Sequence, residues 1–185
     1  PMESAIKSKI LVVYNGVVDQ SRNYPRKLDD NMIVFLVASR LVSDKGIAEV
    51  IDAFRVIGAK YPNTKLIIIG DGPEAARFKK KAATIPNISL LGHQRDPLSY
   101  MATASIFVHP TYHEGFSVAL VEAGMMSLPI IATSVGGNVE IIQHNKTGLL
   151  IEAKNTDALT AAMERLIIDE NLRSSIAANA RKQYV

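Results

Sequence analysis

Two carboxylates that stand eight positions apart mark the segment with the clearest capacity for chemistry. The stretch from Glu114 to Glu122 reads E-G-F-S-V-A-L-V-E, so a Gly-Phe-Ser turn follows the first acid. If a helix begins at Val118, a rise of about 1.5 Å per residue places the two carboxylates about 12 Å apart. The helix start between them directs free backbone N–H groups at an anion. This spacing fits a sugar joined through a diphosphate to a ribose, which predicts a holder for an activated sugar nucleotide.

Two basic residues could bind the charged centre of such a ligand. Arg40 and Lys45 lie in S-R-L-V-S-D-K-G, between a predicted strand and a predicted helix. A guanidinium makes a forked contact to phosphate, and an ammonium supplies a compact charge. A diphosphate leaving group needs both, because negative charge builds on it as the glycosidic bond breaks. The pair is equally consistent with two surface side chains near a helix that Asp44 caps, and both interpretations stay open at this point.

A glycine-rich turn supports a rival function. The segment G-D-G-P-E-A begins at Gly70 and matches the pattern G-x-G-x-x-A of dinucleotide-binding proteins. Pro73, which we place at the first helical position, is also ordinary turn chemistry, and Asp96 is poorly placed to bind a ribose. We favour a simple strand–helix turn, while an NAD-type dinucleotide-binding domain of an oxidoreductase remains the alternative.

Two histidines have the spacing of metal ligands. His109 and His113 are four positions apart, but Pro110 and Tyr112 predict an irregular loop between them. The pattern H-E-x-x-H is missing. We therefore predict no metal site.

The elements that position these residues alternate between strands and helices. Continuous runs rich in Ile and Val predict buried parallel strands at 10–14, 33–38, 65–69, 88–91, 106–109, 130–132 and 148–151. Helices are predicted at 44–60, 74–84, 96–102, 118–126, 139–143, 156–168 and 172–182. Such alternation predicts an α/β fold, a Rossmann-like doubly wound parallel sheet with helices on both faces, whose ligands bind beyond the C-terminal ends of the strands.

Composition restricts the class of protein further. The 185 residues suffice for one domain with a core, the net charge is only +3, and there is no cysteine. The basic run at Lys79 contains no aromatic residues, so we predict a solvated helix face and no nucleic-acid partner. No apolar run reaches the roughly 20 residues that span a bilayer. We expect residues 1–185 to be a single domain taken from a longer protein.

In combination, the segments resemble the C-terminal domain of family 4 (group 1) glycosyltransferases, which have the GT-B fold. In family order the chain carries N-G-V at Asn15 with Asp19, S-R-L-V-S-D-K-G, G-D-G-P, L-G, E-G-F-S-V-A-L-V-E, L-P-I-I-A-T-S-V-G-G-N-V-E and T-G-L-L. The chain departs from the family pattern at Met126-Ser127-Leu128-Pro129 and at Ala123-Gly124. A glycine inside a helix costs up to about 1 kcal/mol, so these departures concern local packing.

The resemblance implies a role for each candidate site residue. Glu114 would be the catalytic-site acid beside the donor sugar, Glu122 would accept hydrogen bonds from the ribose hydroxyls, and the base would lie near His93. A buried unpaired carboxylate is costly, which favours this role for Glu122 in its apolar stretch. The implied donor-binding residues are Arg40, Lys45, His93, Gly115, Phe116, Ser117, Val118 and Glu122.

The resemblance also implies an activity and partners. The implied reaction is transfer, with retention of configuration, of a sugar from a UDP- or GDP-type nucleotide-diphosphate sugar to a glycan or lipid-linked glycan, without a cofactor or metal. We expect the N-terminal acceptor-binding domain to be absent, so this domain alone would be inactive. We expect a cytoplasmic protein that contacts the inner face of a membrane through the missing domain. A non-catalytic nucleotide-binding module is a further alternative.

Overall fold

A parallel sheet organises the protein, of which this computed structural model describes residues 16–29 and 31–185. The described strands are β1 (Ile33–Ala38), β2 (Thr64–Ile69), β3 (Ile88–Leu90), β4 (Ile106–His109), β5 (Ile130–Thr133) and β6 (Leu149–Ile151). They lie in the order β3-β2-β1-β4-β5-β6, and every neighbouring pair is parallel. The six predicted strands from 33 onward are confirmed within one residue at each end. The strand predicted at 10–14 lies outside the described residues.

Helices connect the strands. They are α1 (Ile47–Lys60), α2 (Ala75–Ala82), α3 (Pro97–Thr103), α4 (Val118–Met125), α5 (Asn138–Ile141), α6 (Thr156–Ile168) and α7 (Glu170–Tyr184). The last two begin at side-chain caps, because Asn155 accepts a hydrogen bond from the amide of Ala158 and Asp169 accepts one from the amide of Leu172, both at 2.8 Å. Such caps satisfy amides that have no intrahelical partner.

The sheet has a hydrophobic core on each face. Along β1, Phe35 and Val37 pack with α1, α2 and α6, whereas Leu36 belongs to a second cluster with residues of α3, α4 and α5. Because successive side chains of a strand point to opposite faces, the two clusters lie on opposite sides of one sheet. This confirms the predicted Rossmann-like, doubly wound fold with helices on both faces.

The start of α1 differs from the prediction. Asp44 is not its cap: residues Ser43–Lys45 form a 3-10 turn, and Gly46 then precedes α1 with φ of 64°. A Cβ at Gly46 would lie 2.0 Å from the carbonyl oxygen of Pro110. The loop before α1 is therefore fitted against the loop after β4. Pro73 is likewise not at a first helical position, because α2 begins at Ala75 with Glu74 before it.

The glycine inside α4 has a packing reason. A Cβ at Gly124 would lie 2.3 Å from a ring carbon of Tyr184, which comes from α7. Arg181 of the same helix donates to the carbonyl oxygen of Met125 at 2.5 Å and to both carboxylate oxygens of Asp19 at 3.1 and 2.9 Å. Helix α7 is thus tied to α4 and to the segment that precedes β1.

Candidate functional site

The predicted site residues gather at the C-terminal edge of the sheet. The strand order reverses between β1 and β4, and in open α/β sheets ligands bind at such a point. The loop after β1 joins its neighbours through backbone hydrogen bonds, from Tyr112 to the carbonyl of Asp44 at 2.7 Å and from Leu41 to that of Asp71 at 2.9 Å. One loop therefore links the ends of β1, β2 and β4.

A three-residue cluster stands at the centre of this edge. The ammonium of Lys45 lies 3.0 Å from Oε2 of Glu114, and Nε2 of His109 lies 3.1 Å from the same oxygen. The side chain of Glu114 is 17% exposed and that of His109 is 6% exposed. The structure thus brings together the predicted catalytic-site acid, Glu114, and the predicted donor-binding residue Lys45. It adds a histidine that we had considered only as a metal ligand.

These contacts keep Glu114 ionised. The hydrogen bond from His109 is the main cause, and Lys45 adds to it against the opposing effect of burial, so that the pKa of Glu114 falls from 4.5 to about 2. Hydrogen-bond donors and nearby positive charges stabilise the ionised form of an acid. The site accordingly presents a carboxylate that can only accept hydrogen bonds.

Buried polar side chains hold the loop that carries Glu114. Thr111 donates to the carbonyl of His113 at 2.9 Å, and Thr133 at the end of β5 donates to the carbonyl of Thr111 at 2.5 Å. Asn138, which is fully buried, donates to the carbonyl of Thr133 at 3.0 Å. The ends of β4 and β5 and the start of α5 are joined beneath the site.

The Gly-Gly turn after β5 closes on the same loop. The amide of Gly137 donates to the carbonyl of Glu114 at 3.0 Å. A Cβ at Gly137 would lie only 1.8 Å from the carbonyl oxygen of Gly115, so a larger residue would displace one backbone from the other. A cavity of about 350 Å³ opens between these turns.

Helix α4 leads away from Glu114. Ser117 is buried and caps it, with the hydroxyl accepting from the amide of Leu120 at 3.3 Å. Gly115 is exposed and Val118 is 42% exposed at the mouth of the turn. Burial raises the pKa of Glu122 farther along α4, and within the described residues its carboxylate has no hydrogen bond or ion pair. Glu122 is therefore a half-buried acceptor that a ligand could satisfy.

Arg40 and His93 line a second opening at the same edge. Both side chains are exposed, and both border a cavity of about 550 Å³ over the ends of β1 and β2. Arg40 lies on the loop that also carries Lys45, which connects this cavity to the carboxylate cluster. Phe116 lies between Gly115 and the cap of α4.

The features that suggested other functions have structural roles. A Cβ at Gly70 would lie 1.8 Å from the carbonyl oxygen of Ser39, and one at Gly72 would lie 2.4 Å from that of Leu41. These glycines allow two loops to touch, which supports the interpretation of a simple turn. Across residues 16–29 and 31–185, no group of three or more metal-ligating side chains is positioned to hold an ion.

Sequence reasoning missed the side chains that support the site. Tyr112 donates to Glu49 in the first turn of α1, and the ammonium of Lys154 lies 5.0 Å from the Tyr112 ring centre. Burial and the bond to Glu49 raise the pKa of Tyr112. The only sequence signal for such residues is their position: Thr111 and Tyr112 lie in the loop that follows β4 and that also carries the candidate site residue Glu114.

The chain is similar to known proteins in both sequence and fold. Residues 20–183 match the profile of the family described as "Glycosyl transferases group 1". The capsular polysaccharide biosynthesis glycosyltransferase CapM of Staphylococcus aureus is 35% identical over 164 residues, which are 86% of this chain and 43% of that protein. The chain thus spans less than half the length of this relative.

Solved structures share the fold. The C-terminal domain of a group 1 family glycosyl transferase, LpcC, from Francisella tularensis is 26% identical with a TM-score of 0.72, covering 88% of this chain and 87% of that one. Anabaena HepE, solved with UDP and glucose, is 23% identical with a TM-score of 0.81, covering 94% of this chain and 51% of that one. No helix among the described residues is long and apolar enough to cross a membrane.

Proposed function

Because the chain belongs to the group 1 glycosyltransferases, we propose that it is the donor-binding half of a retaining enzyme. That enzyme transfers a sugar from a UDP- or GDP-linked donor to a glycan or lipid-linked glycan. The observation that carries the proposal is the Lys45–Glu114 pair at the sheet edge. On one side of it lies a cavity lined by Arg40, and on the other lies α4, whose Glu122 has no side-chain partner among residues 16–29 and 31–185. The UDP bound by the structural neighbour HepE supports the nucleotide assignment.

Each part of the edge then has a task. Arg40 and Lys45 neutralise the diphosphate, on which negative charge develops as the bond to the sugar breaks. The amides at the start of α4 face the same anion. Glu114 accepts hydrogen bonds from sugar hydroxyls, and Glu122 accepts them from the ribose. His93 borders the space for the base.

The acceptor and the remaining catalytic groups belong to a second domain. The chain spans 43% of its relative CapM, and we expect the domain alone to bind a donor without transferring its sugar. Full activity would require the partner domain, which we place N-terminal to this one. We assign the enzyme to the cytoplasm, at the inner face of a membrane, without a metal or cofactor.

Calorimetric titration with UDP and GDP tests the phosphate assignment. In an Arg40→Ala, Lys45→Ala variant, the loss of two charged hydrogen-bond partners should weaken nucleotide binding about 100-fold. A Lys79→Ala, Lys80→Ala variant removes the same charge from an exposed face of α2 and should bind normally. Equal affinity in all three proteins would contradict the assignment. Protection from thermal unfolding by NAD, with none by UDP or GDP, would favour the dinucleotide alternative.

A deoxy nucleotide tests the ribose end separately. If Glu122 accepts both ribose hydroxyls, replacing UDP by 2′-deoxy-UDP should weaken binding to the natural chain but not to Glu122→Ala. The same ratio of affinities in both proteins would show that the ribose lies elsewhere. In the full-length enzyme, Glu122→Ala should mainly raise the KM for the donor. A fall in kcat at unchanged donor affinity would also show that Glu122 does not bind the ribose.

A further inference from the structure

His109 is a buried polar residue in a fixed position. It ends β4, whose backbone is hydrogen-bonded in register with β5 at this residue. Its ring lies nearly parallel to that of Phe107, at an interplanar angle of 14° and a centroid distance of 6.4 Å. The imidazole therefore packs against the Phe107 ring, and its Nε2 points at the Glu114 carboxylate.

The two side chains that contact Glu114 bind the same carboxylate oxygen. Both Lys45 and His109 contact Oε2, and no group in the described ranges donates to Oε1. Since the carboxylate is ionised and can only accept, the proton of this contact is on Nε2 of His109. Glu114 also borders the cavity formed with Gly115 and Gly136, so a ligand in that cavity would lie next to a residue whose Oε1 has no donor among the described residues.

The two partners also differ in what else they must do. Under the proposed function, Lys45 shares its ammonium with the donor diphosphate, because it lies on the same loop as Arg40. A Lys side chain is flexible, whereas the imidazole of His109 is held by the sheet. When Lys45 turns toward phosphate, His109 is the partner that keeps Glu114 in place.

We propose that His109 is a positioning residue: it fixes Oε2 of Glu114 so that Oε1 faces the hydroxyls of the donor sugar. The sugar as the ligand of Oε1 rests on the proposed function, whereas the hydrogen bond between His109 and Glu114 does not. It predicts that His109 affects binding of the sugar moiety and leaves binding of the nucleotide moiety unchanged. If His109 served only to pack the core, its replacement would weaken binding of the nucleotide and of the sugar moiety equally, because it would destabilise the whole domain.

The first test needs no ligand. NMR titration of the Glu114 side-chain carboxyl, assigned with Glu114→Gln, compares the natural chain with His109→Phe and His109→Gln. The titratable groups facing this carboxyl are Lys45, from the turn before α1, and His109, from β4. Removing the imidazole in His109→Phe should move the titration to higher pH, and the amide donor of His109→Gln should restore it. The same midpoint in all three proteins overturns the proposal.

The second test uses calorimetry with UDP, UDP-glucose, UDP-N-acetylglucosamine, GDP and GDP-mannose. For the donor that the natural chain binds better than its nucleoside diphosphate, His109→Phe should reduce that advantage about tenfold while the affinity for the diphosphate changes less than twofold. His109→Gln should recover most of it. An equal loss for diphosphate and nucleotide sugar in His109→Phe refutes positioning. If the natural chain binds none of these ligands, the proposed function fails, and the carboxyl titration still decides the role of His109.

Discussion

The contact between Gly124 and Tyr184 allows a stability effect to be predicted with its sign. A Cβ at Gly124 would lie 2.3 and 2.4 Å from two ring carbons, so the Tyr184 ring must retreat by about 1 Å to reach ordinary contact distance. Overpacking of this kind costs about 1–3 kcal/mol, while alanine gains up to about 1 kcal/mol of helix propensity over glycine. Gly124→Ala should therefore lower the free energy of unfolding by about 1–2 kcal/mol.

Removing the ring should reverse that sign. In a Tyr184→Ala background only the propensity gain remains, so Gly124→Ala should raise the free energy of unfolding by up to about 1 kcal/mol. The coupling between the two positions is then about 2 kcal/mol, well within what contacting residues show in double-mutant cycles. Tyr184→Phe keeps the ring, so in that background Gly124→Ala should stay destabilising.

Urea unfolding of the natural chain and the five variants provides the measurement. The slopes must agree among variants for the free energies to be compared. If Gly124→Ala changes stability equally in the natural chain and in the Tyr184→Ala background, the ring does not occupy the space beside Gly124. The glycine would then need another explanation, and the packing of α7 on α4 would be in question.

Three further predictions concern the site. Glu114→Gln should destabilise the protein at pH 7 by at most about 3 kcal/mol. The reason is that a carboxyl pKa lowered from 4.5 to about 2 contributes stability that is present above pH 4.5 and is lost as the pH falls toward 2. In urea unfolding, the difference in stability between the natural chain and Glu114→Gln should be seen at pH 7 and should disappear at pH 2. Glu122→Gln should stabilise the protein at pH 7, because burial raises the pKa of the Glu122 carboxyl and stability is lost as the pH rises from the unfolded-state pKa to the folded-state pKa. A melting temperature that does not rise at pH 7 would contradict this effect of burial. Thr133→Val should cost about 1–3 kcal/mol, because the buried carbonyl of Thr111 loses its donor; Ser134→Val, next to it but exposed, should change the melting temperature little.

Much of the fold follows from local patterns. Runs such as 106–109 are too apolar for a surface strand, and their alternation with helices leaves few topologies other than a doubly wound sheet. Boundaries that depend on tertiary contact were harder to predict. Asp44 has the chemistry of a helix cap, yet α1 begins three residues later, because the loop before it is fitted against Pro110.

The candidate site shows the same division. Glu114 and Lys45 were predicted individually from the chemistry of their side chains, but they are separated by 69 residues. Only the docking of two loops brings them within 3.0 Å. His109 was considered as a metal ligand because it lies four positions before His113. Sequence spacing gives no information about which side chain faces a buried imidazole. Its actual neighbour depends on the direction in which the loop after β4 turns.

The bonds of Arg181 have a consequence for local opening of the protein. This side chain joins Asp19, the last turn of α4 and α7, so that none of the three can separate without breaking charged hydrogen bonds. Helix α7 should therefore exchange its amide hydrogens together with α4, as one cooperative unit that includes the segment before β1. Motions of that segment would then be transmitted to the helix that begins at the carboxylate site.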